Sequence, residues 1–435
     1  MKSRFSLFAF FTILIISISI RIYDINKQWQ HRQFCLTTFD ALGYYMYLPA
    51  GLIYDDVLKV NWLQAIDVKY GVVGSWQYQT IKEKNGNFVF KYLGGVAIME
   101  LPFFLIGHAV AKSAGFEADG FSLPYQYALI VAAFFYAFIG LYYLRRFLLD
   151  YFDDKIVAIT LLLLTIASNW VQYVAIDSAQ SHVYIFPLYV WILFGTRAWH
   201  QKPTLNGAFL IGFIIGLATI CRPTEGIMLF IPLLWNTQTK ENAAAKWALV
   251  KQYKPHVWAA IIGGFLAISP QLIYWKYASG HFLYDVGSKW YFLNPYFRVI
   301  FGFEKGWFVY TPVAILFVLG LFFIKKFPFR KSVITLCLLN MYIIIAWADW
   351  KYGGSYSCRA LVQSYAVFAL PLAAIIQNIV ATRWRTLFYA LCFYLISVNI
   401  FQIYQYNKGI LRYDENSFEY YKSIYLNPNA PPFQR

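Results

Sequence analysis

LGGVAIMELPFFLIGHAVA, residues 93–111, decides how this chain is laid across a membrane. It is apolar enough and long enough to cross a hydrocarbon core. Counted as a crossing, it places every later basic loop outside. Left out, the basic loops all fall on the side of the N-terminus, where Lys2 and Arg4 precede the first apolar run. Those loops carry Arg145, Arg146 and Lys155; Arg197 and Lys202; Lys240, Lys246, Lys251 and Lys254; Lys325, Lys326, Arg330 and Lys331; and Arg383 and Arg385. A bias of Lys and Arg toward one side sets orientation. The stretch also holds Glu100, Pro102 and His108. It is therefore read as a helix lying in the outer interface.

Outward from this stretch the sequence is that of an all-α polytopic membrane protein. It is 60% hydrophobic and only 13% charged, where soluble domains are about a quarter charged. Apolar runs predict about eleven transmembrane helices: 5–22, 126–144, 156–174, 183–199, 205–221, 225–238, 256–275, 307–324, 332–348, 361–381 and 386–405. Together they make a transmembrane domain over 1–405. Its first outer loop, 23–125, holds amphipathic interface helices at 42–54 and 93–111. A polar, Tyr- and Asn-rich outer tail follows at 406–435. The start, MKSRFSLFAFFTILIISISIRIY, reads as an uncleaved signal anchor, since no small-residue cleavage site follows it. The net charge of +16 comes from Lys and Arg flanking apolar runs and does not point to nucleic acid.

The five cysteines form no CxxC pair, so neither a zinc site nor a disulfide framework is indicated. A bridge between Cys35 and Cys358, both in outer loops, is the one pairing to consider. No P-loop, GxGxxG, HExxH or GxSxG motif is present.

Ionisable and aromatic residues gather at the outer ends of the helices. In TTFDALGYYMYLPAGLIYDD, residues 37–56, Asp40 precedes a short aromatic helix. It is either an N-cap or a carboxylate half withdrawn from water by Tyr44, Tyr45 and Tyr47. In the second case its pKa is expected to rise and suit a base. AIDSAQSHVY, residues 175–184, offers Asp177 and His182 at a turn between two crossings, either capping that turn or facing the same cleft. ICRPTEG, residues 220–226, interrupts an apolar stretch with Arg222 and Glu225, which either staple a hairpin or form a polar site at membrane depth. Lys91, Lys305, Lys351 and Arg359 stand among Trp307, Trp347, Trp350 and Tyr352. Cations suit a phosphate and aromatic faces suit a sugar ring, although any one of these residues also fits an interfacial anchor belt.

The layout resembles the GT-C superfamily of membrane glycosyltransferases, which includes protein O-mannosyltransferases and the aminoarabinose transferase of lipid A. The stretches that carry the resemblance are FDALGYYMYLPA (39–50), KYLGGVAIMELPFF (91–104), DSAQSH (177–182), RPTEG (222–226) and EKGWFVYTP (304–312). Two departures stand out. Ala-Leu-Gly follows Asp40 where relatives often have a Glu, and KYLGG replaces a Lys-Pro-Pro or His-Pro-Pro turn. The resemblance implies an inverting transfer of a sugar from a polyprenyl-phosphate donor to a hydroxyl of a glycan, lipid or protein. It places this chemistry at the outer, periplasmic face of a bacterial inner membrane, among membrane lipids. Asp40 and Asp177 would be catalytic. Tyr44, Lys91, His182, Arg222, Glu225, Lys305, Trp350 and Arg359 would bind substrate. No divalent metal is expected where such cations neutralise the phosphate, although the oligosaccharyltransferase branch would share one between Asp40 and Asp177. The rival classes are an O-antigen polymerase or ligase using a lipid diphosphate, and a lipid or glycolipid transporter. The first usually carries its large loop late in the chain; the second predicts midplane charges and repeated halves.

Overall fold

The structure, a computed structural model, describes residues 4–31, 34–72 and 79–433; Lys2 lies outside them. The described residues are mostly helical. Among the described residues the only sheet is a two-stranded antiparallel hairpin, β1 (Thr80–Lys82) and β2 (Phe88–Phe90), with Ile81 opposite Val89. Before it come α1 (Arg4–His31), α2 (Phe39–Tyr45), α3 (Tyr47–Leu52) and α4 (Leu63–Tyr70). After it come α5 (Gly95–Ser113), α6 (Leu123–Leu148), α7 (Asp154–Thr165), α8 (Trp170–Ala175), α9 (Ser181–Gln201) and α10 (Leu205–Cys221). A 3-10 helix (Pro223–Leu229) leads into α11 (Phe230–Leu234), α12 (Lys240–Gln252) and α13 (Lys254–Ser279). The remainder is α14 (Arg298–Phe301), α15 (Trp307–Tyr310), α16 (Ala314–Gly320), α17 (Arg330–Ala346), α18 (Tyr365–Val380), α19 (Arg385–Asn407) and α20 (Phe418–Ile424).

Among the described residues six helices are long and apolar enough to cross a membrane: α1, α5, α6, α13, α19 and the span Arg359–Val380 containing α18. The last is the core of the bundle, buried over nearly its whole length. By contrast Phe8, Phe265 and Phe393 of α1, α13 and α19 project outward. An apolar surface of that kind is stable only against lipid.

The basic loops share one end of the bundle. The Asp154 carboxylate accepts hydrogen bonds from the backbone amides of Phe5 and Ser6 at 2.8 and 3.1 Å, satisfying orphan donors at the start of α1. Arg145 Nε donates to Ser6 Oγ at 2.8 Å, and Arg197 pairs with Asp150. Asn236 N reaches Pro328 O at 2.8 Å. The opposite end carries Asp40, His182, Arg222 and Arg359.

Several expected helices are broken. The run 156–174 splits into α7 and α8 around Ile166–Asn169, and 307–324 splits at Thr311–Pro312. The run 225–238 is 3-10 before it is α-helical, 42–54 is two short helices, and 240–252, expected as loop, is α12. The cysteines are all free, so Cys35 and Cys358 are not bridged.

The helix expected over 93–111 is α5, and it packs antiparallel along the first half of α6. Tyr136 Oη donates to Met99 O at 2.9 Å, Phe103 meets Phe135 and Tyr136, and His108 Nδ1 lies 2.5 Å from Tyr125 Oη. At the start of α5, a Cβ on Gly95 would stand 2.5 Å from the backbone nitrogen of Cys221. Only glycine permits that approach to the end of α10.

Candidate active site

A cavity of about 580 Å³ opens at the end of the bundle opposite the basic loops. The segment between α1 and α6 supplies Asp40 and Tyr44 from α2, and Lys91 and Tyr92 from the link between β2 and α5. The start of α9 supplies His182 and the end of α10 supplies Arg222. A strap at 284–290 and the segment 347–359 close the far wall, with Asp285, Lys289, Trp347, Asp349, Tyr352 and Arg359. Tyr291 N to Ala346 O (2.6 Å) and Ala348 N to Lys289 O (2.9 Å) zip strap and segment together.

Asp40 is not an N-cap. Thr38 holds that position and makes no side-chain cap. Instead Tyr92 Oη donates to Asp40 Oδ1 at 2.7 Å and Arg359 Nη2 donates to Oδ2 at 2.6 Å. Burial pushes the carboxyl up, but the Arg359 guanidinium and the Tyr92 hydroxyl outweigh it and hold the pKa below the ordinary carboxylate value. The expected rise is thus reversed, because a cation from 319 residues away faces the acid. Gly43 makes the arrangement possible: a Cβ there would sit 2.2 Å from the Tyr92 ring.

Arg222 forms no ion pair with a carboxylate among the described residues. It follows Cys221 at the end of α10 with an extended backbone, which turns it out of the helix at the cavity wall. Behind it lies a buried chain of polar groups. His182 Nδ1 lies 2.8 Å from Gln363 Oε1, Gln363 Nε2 donates to Glu225 Oε1 at 2.9 Å, and Tyr189 Oη donates to Glu225 Oε2 at 2.5 Å.

Asp40, Tyr44, Lys91, His182, Arg222 and Arg359 thus share one cavity. Four expected residues do not line it. Glu225 is buried behind Arg222. Trp350 lies against the Arg298 guanidinium, 4.5 Å from its ring centre. Asp177 accepts from Gln172 Nε2 at 3.0 Å, and burial raises its pKa despite Arg359 and Arg21 nearby. Lys305 is buried, donating to Gly353 O and, at 3.1 Å, to Ser355 Oγ. Sequence reasoning missed Tyr92, Gln363 and the strap. Tyr92 stood beside Lys91 in the KYLGG stretch already singled out; Gln363 carried no signal, since its partners come from two other helices.

Tyr92 and Arg359 each donate to one oxygen of Asp40, and the Arg359 guanidinium also acts on Asp177. Among the described residues no group of three or more His, Cys, Asp or Glu is placed to hold a metal ion.

No protein-family model matches the sequence, and no curated protein matches it. Among solved structures, the chain is similar to the archaeal oligosaccharyltransferase AglB from Archaeoglobus fulgidus, in complex with an inhibitory peptide and a dolichol-phosphate. The TM-score is 0.53 at 12% identity, over 99% of this chain and 61% of that one. The fold is GT-C-like. This chain therefore spans about three fifths of the AglB length, and the likeness is one of fold.

Lys305 makes the site's stability depend on pH. Burial, with Arg359 beside it, lowers its pKa from 10.5 to about 7, against the opposing pull of Asp414 and Asp349. The folded chain releases this proton near pH 7 and the unfolded chain only near 10.5. Between those values the unfolded state holds more protons, so stability rises with pH, by at most about 1.4 kcal/mol per unit. Below pH 7 the cost of the buried charge is constant. Thermal unfolding in detergent from pH 6 to 9 should show wild type gaining on Lys305→Met above pH 7. Parallel curves would mean the amine is not buried as a charge.

Proposed function

We propose that this protein is a membrane glycosyltransferase that moves a sugar from a polyprenyl-phosphate donor to an acceptor hydroxyl, with inversion. The observation that carries this reading is one cavity holding an ionised carboxylate, Asp40, and a cation without a carboxylate partner, Arg222. The GT-C-like fold supports it, as does the dolichol-phosphate in the AglB structure. Beside the cavity runs a smaller apolar groove of about 160 Å³, lined by Leu48, Ala97, Ile98, Leu101, Ile220 and Pro270. A prenyl chain suits it, leading its phosphate toward Arg222.

The acceptor hydroxyl gives its proton to Asp40. Each carboxylate oxygen keeps a second lone pair beyond the bond it already accepts. The hydroxyl oxygen attacks the anomeric carbon as the bond to the lipid phosphate breaks from the opposite face. The phosphate leaves with the electron pair, and Arg222 neutralises it. Lys91 and Lys289 add positive charge at the rim. The residues supply position and charge rather than covalent chemistry. The acceptor is a glycan, lipid or protein, and the work is done on the outer face, which in a bacterium is the periplasmic side of the inner membrane.

Asp40→Asn and Arg222→Gln separate the two halves of this mechanism. In membranes supplied with lipid-linked sugar, Asp40→Asn should keep donor binding and lose transfer by about 10²- to 10⁴-fold, as for a removed base. Arg222→Gln should chiefly weaken donor use, by about 1–3 kcal/mol for a lost charged hydrogen bond. Near-normal turnover by Asp40→Asn would end the proposal that it is the base.

The outer placement has its own test. Lys84 and Asn429 are exposed. Cysteines introduced there, in a chain lacking the native five, should both react with an impermeant thiol reagent in intact cells. Protection of either one contradicts the proposed sidedness.

A further inference from the structure

We propose that His182 reads a hydroxyl of the transferred sugar, with Nε2 as the hydrogen-bond acceptor and with Gln363, Glu225 and Tyr189 fixing its tautomer. The inference rests on the glycosyltransferase reading of this cavity and adds a specificity residue to it.

The argument starts at Glu225, whose two oxygens accept from Tyr189 Oη at 2.5 Å and Gln363 Nε2 at 2.9 Å. Both Glu225 oxygens thus face donors, which fixes the end of the Gln363 amide that turns toward it as the Nε2 end. The amide oxygen then points the other way, 2.8 Å from His182 Nδ1. An amide oxygen only accepts, so Nδ1 carries the hydrogen and Nε2 keeps its lone pair. The approach of Arg222 Nη1 to Nδ1 at 3.5 Å then sets two donors side by side. It is a packing contact, not a bond. The logic is that of a catalytic triad, in which a carboxylate holds an imidazole in one tautomer. Here a glutamine stands between them.

His182 lines the cavity, and among the described residues its Nε2 has no hydrogen-bond partner and is not sealed from solvent. An acceptor-only nitrogen rejects a phosphate oxygen and welcomes a hydroxyl. Its nearness to Arg222 places that hydroxyl beside the phosphate, on the sugar of the donor. His182 is thus a specificity residue, whereas Gln363 and Glu225 are positioning residues.

The tautomer is readable without turnover, so this test stands apart from the transfer assay. The full chain, labelled with ¹⁵N-histidine in amine-oxide micelles, shows six histidines; His182→Asn identifies the signal. Wild type should show a protonated Nδ1 and a bare Nε2. Glu225→Gln should give a mixture of tautomers, since Gln363 is then free to turn. Octyl glucoside should shift the Nε2 resonance at concentrations several-fold below those needed with methyl glucoside. Octyl phosphate should leave the tautomer unchanged. A wild-type ring protonated at Nε2, or doubly protonated by octyl phosphate, overturns the proposal. So does an Nε2 resonance that octyl glucoside does not move. Equal potency of methyl glucoside would place the hydroxyl on a water-borne ligand and overturn its assignment to the donor.

Discussion

The ion pair between Asp40 and Arg359 is the contact on which the site depends. It ties α2 to the segment before α18, 319 residues later. A largely buried pair of this kind contributes little net stability, because desolvating two charges offsets most of their attraction. Removing one partner is another matter, since a buried charge is then left alone. The pair therefore works as a specification of geometry more than as a source of stability. Where Arg359 sits, Asp40 stays ionised, Tyr92 has an oxygen to bond, and Gly43 must have no side chain.

Behind that pair the bundle is arranged to hold its loops still. Lys305 reaches under the segment 353–355 that leads to Arg359. The strap at 284–296 is pinned by backbone bonds to 345–348. The segment after α19 packs against the same end, through Phe418 on Phe303 and Tyr421 on Tyr310. Preorganised dipoles and charges lower a barrier only if they need not move when the reaction occurs. The density of such ties around the cavity fits that requirement.

Much of this was legible in the sequence, and the exceptions share a cause. The expected apolar runs fall on helical residues, several of them in broken pieces, and the basic loops fall together, because hydropathy and charge bias are properties of neighbouring residues. The break between α7 and α8 was not legible. Asn399 Nδ2 takes the carbonyls of Ile166 and Ser168 at 2.7 and 2.8 Å, and Tyr365 Oη donates to Asn169 Oδ1 at 2.6 Å. The Asn399 amide thus satisfies two carbonyls that an unbroken helix would have satisfied itself, and Tyr365 holds the Asn169 side chain at the break. The site divides in the same way. Asp40, His182, Arg222 and Arg359 were marked by polar chemistry at the ends of apolar runs. Lys305 bore the same mark, but its partners Gly353 and Ser355 lie in another loop and take it out of the cavity. The lowered pKa of Asp40, opposite to expectation, likewise comes from a partner that no local pattern reveals.

The central claim is that Asp40 and Arg222 face one substrate in one cavity. A map of the full chain bound to a polyprenyl-phosphate sugar tests it most directly. The account predicts the phosphate within hydrogen-bonding distance of the Arg222 guanidinium, with the anomeric carbon on the side of Asp40 and the prenyl chain along Leu48, Ile98 and Ile220. A phosphate held instead at Lys305 or Asp177, away from Asp40, would contradict it.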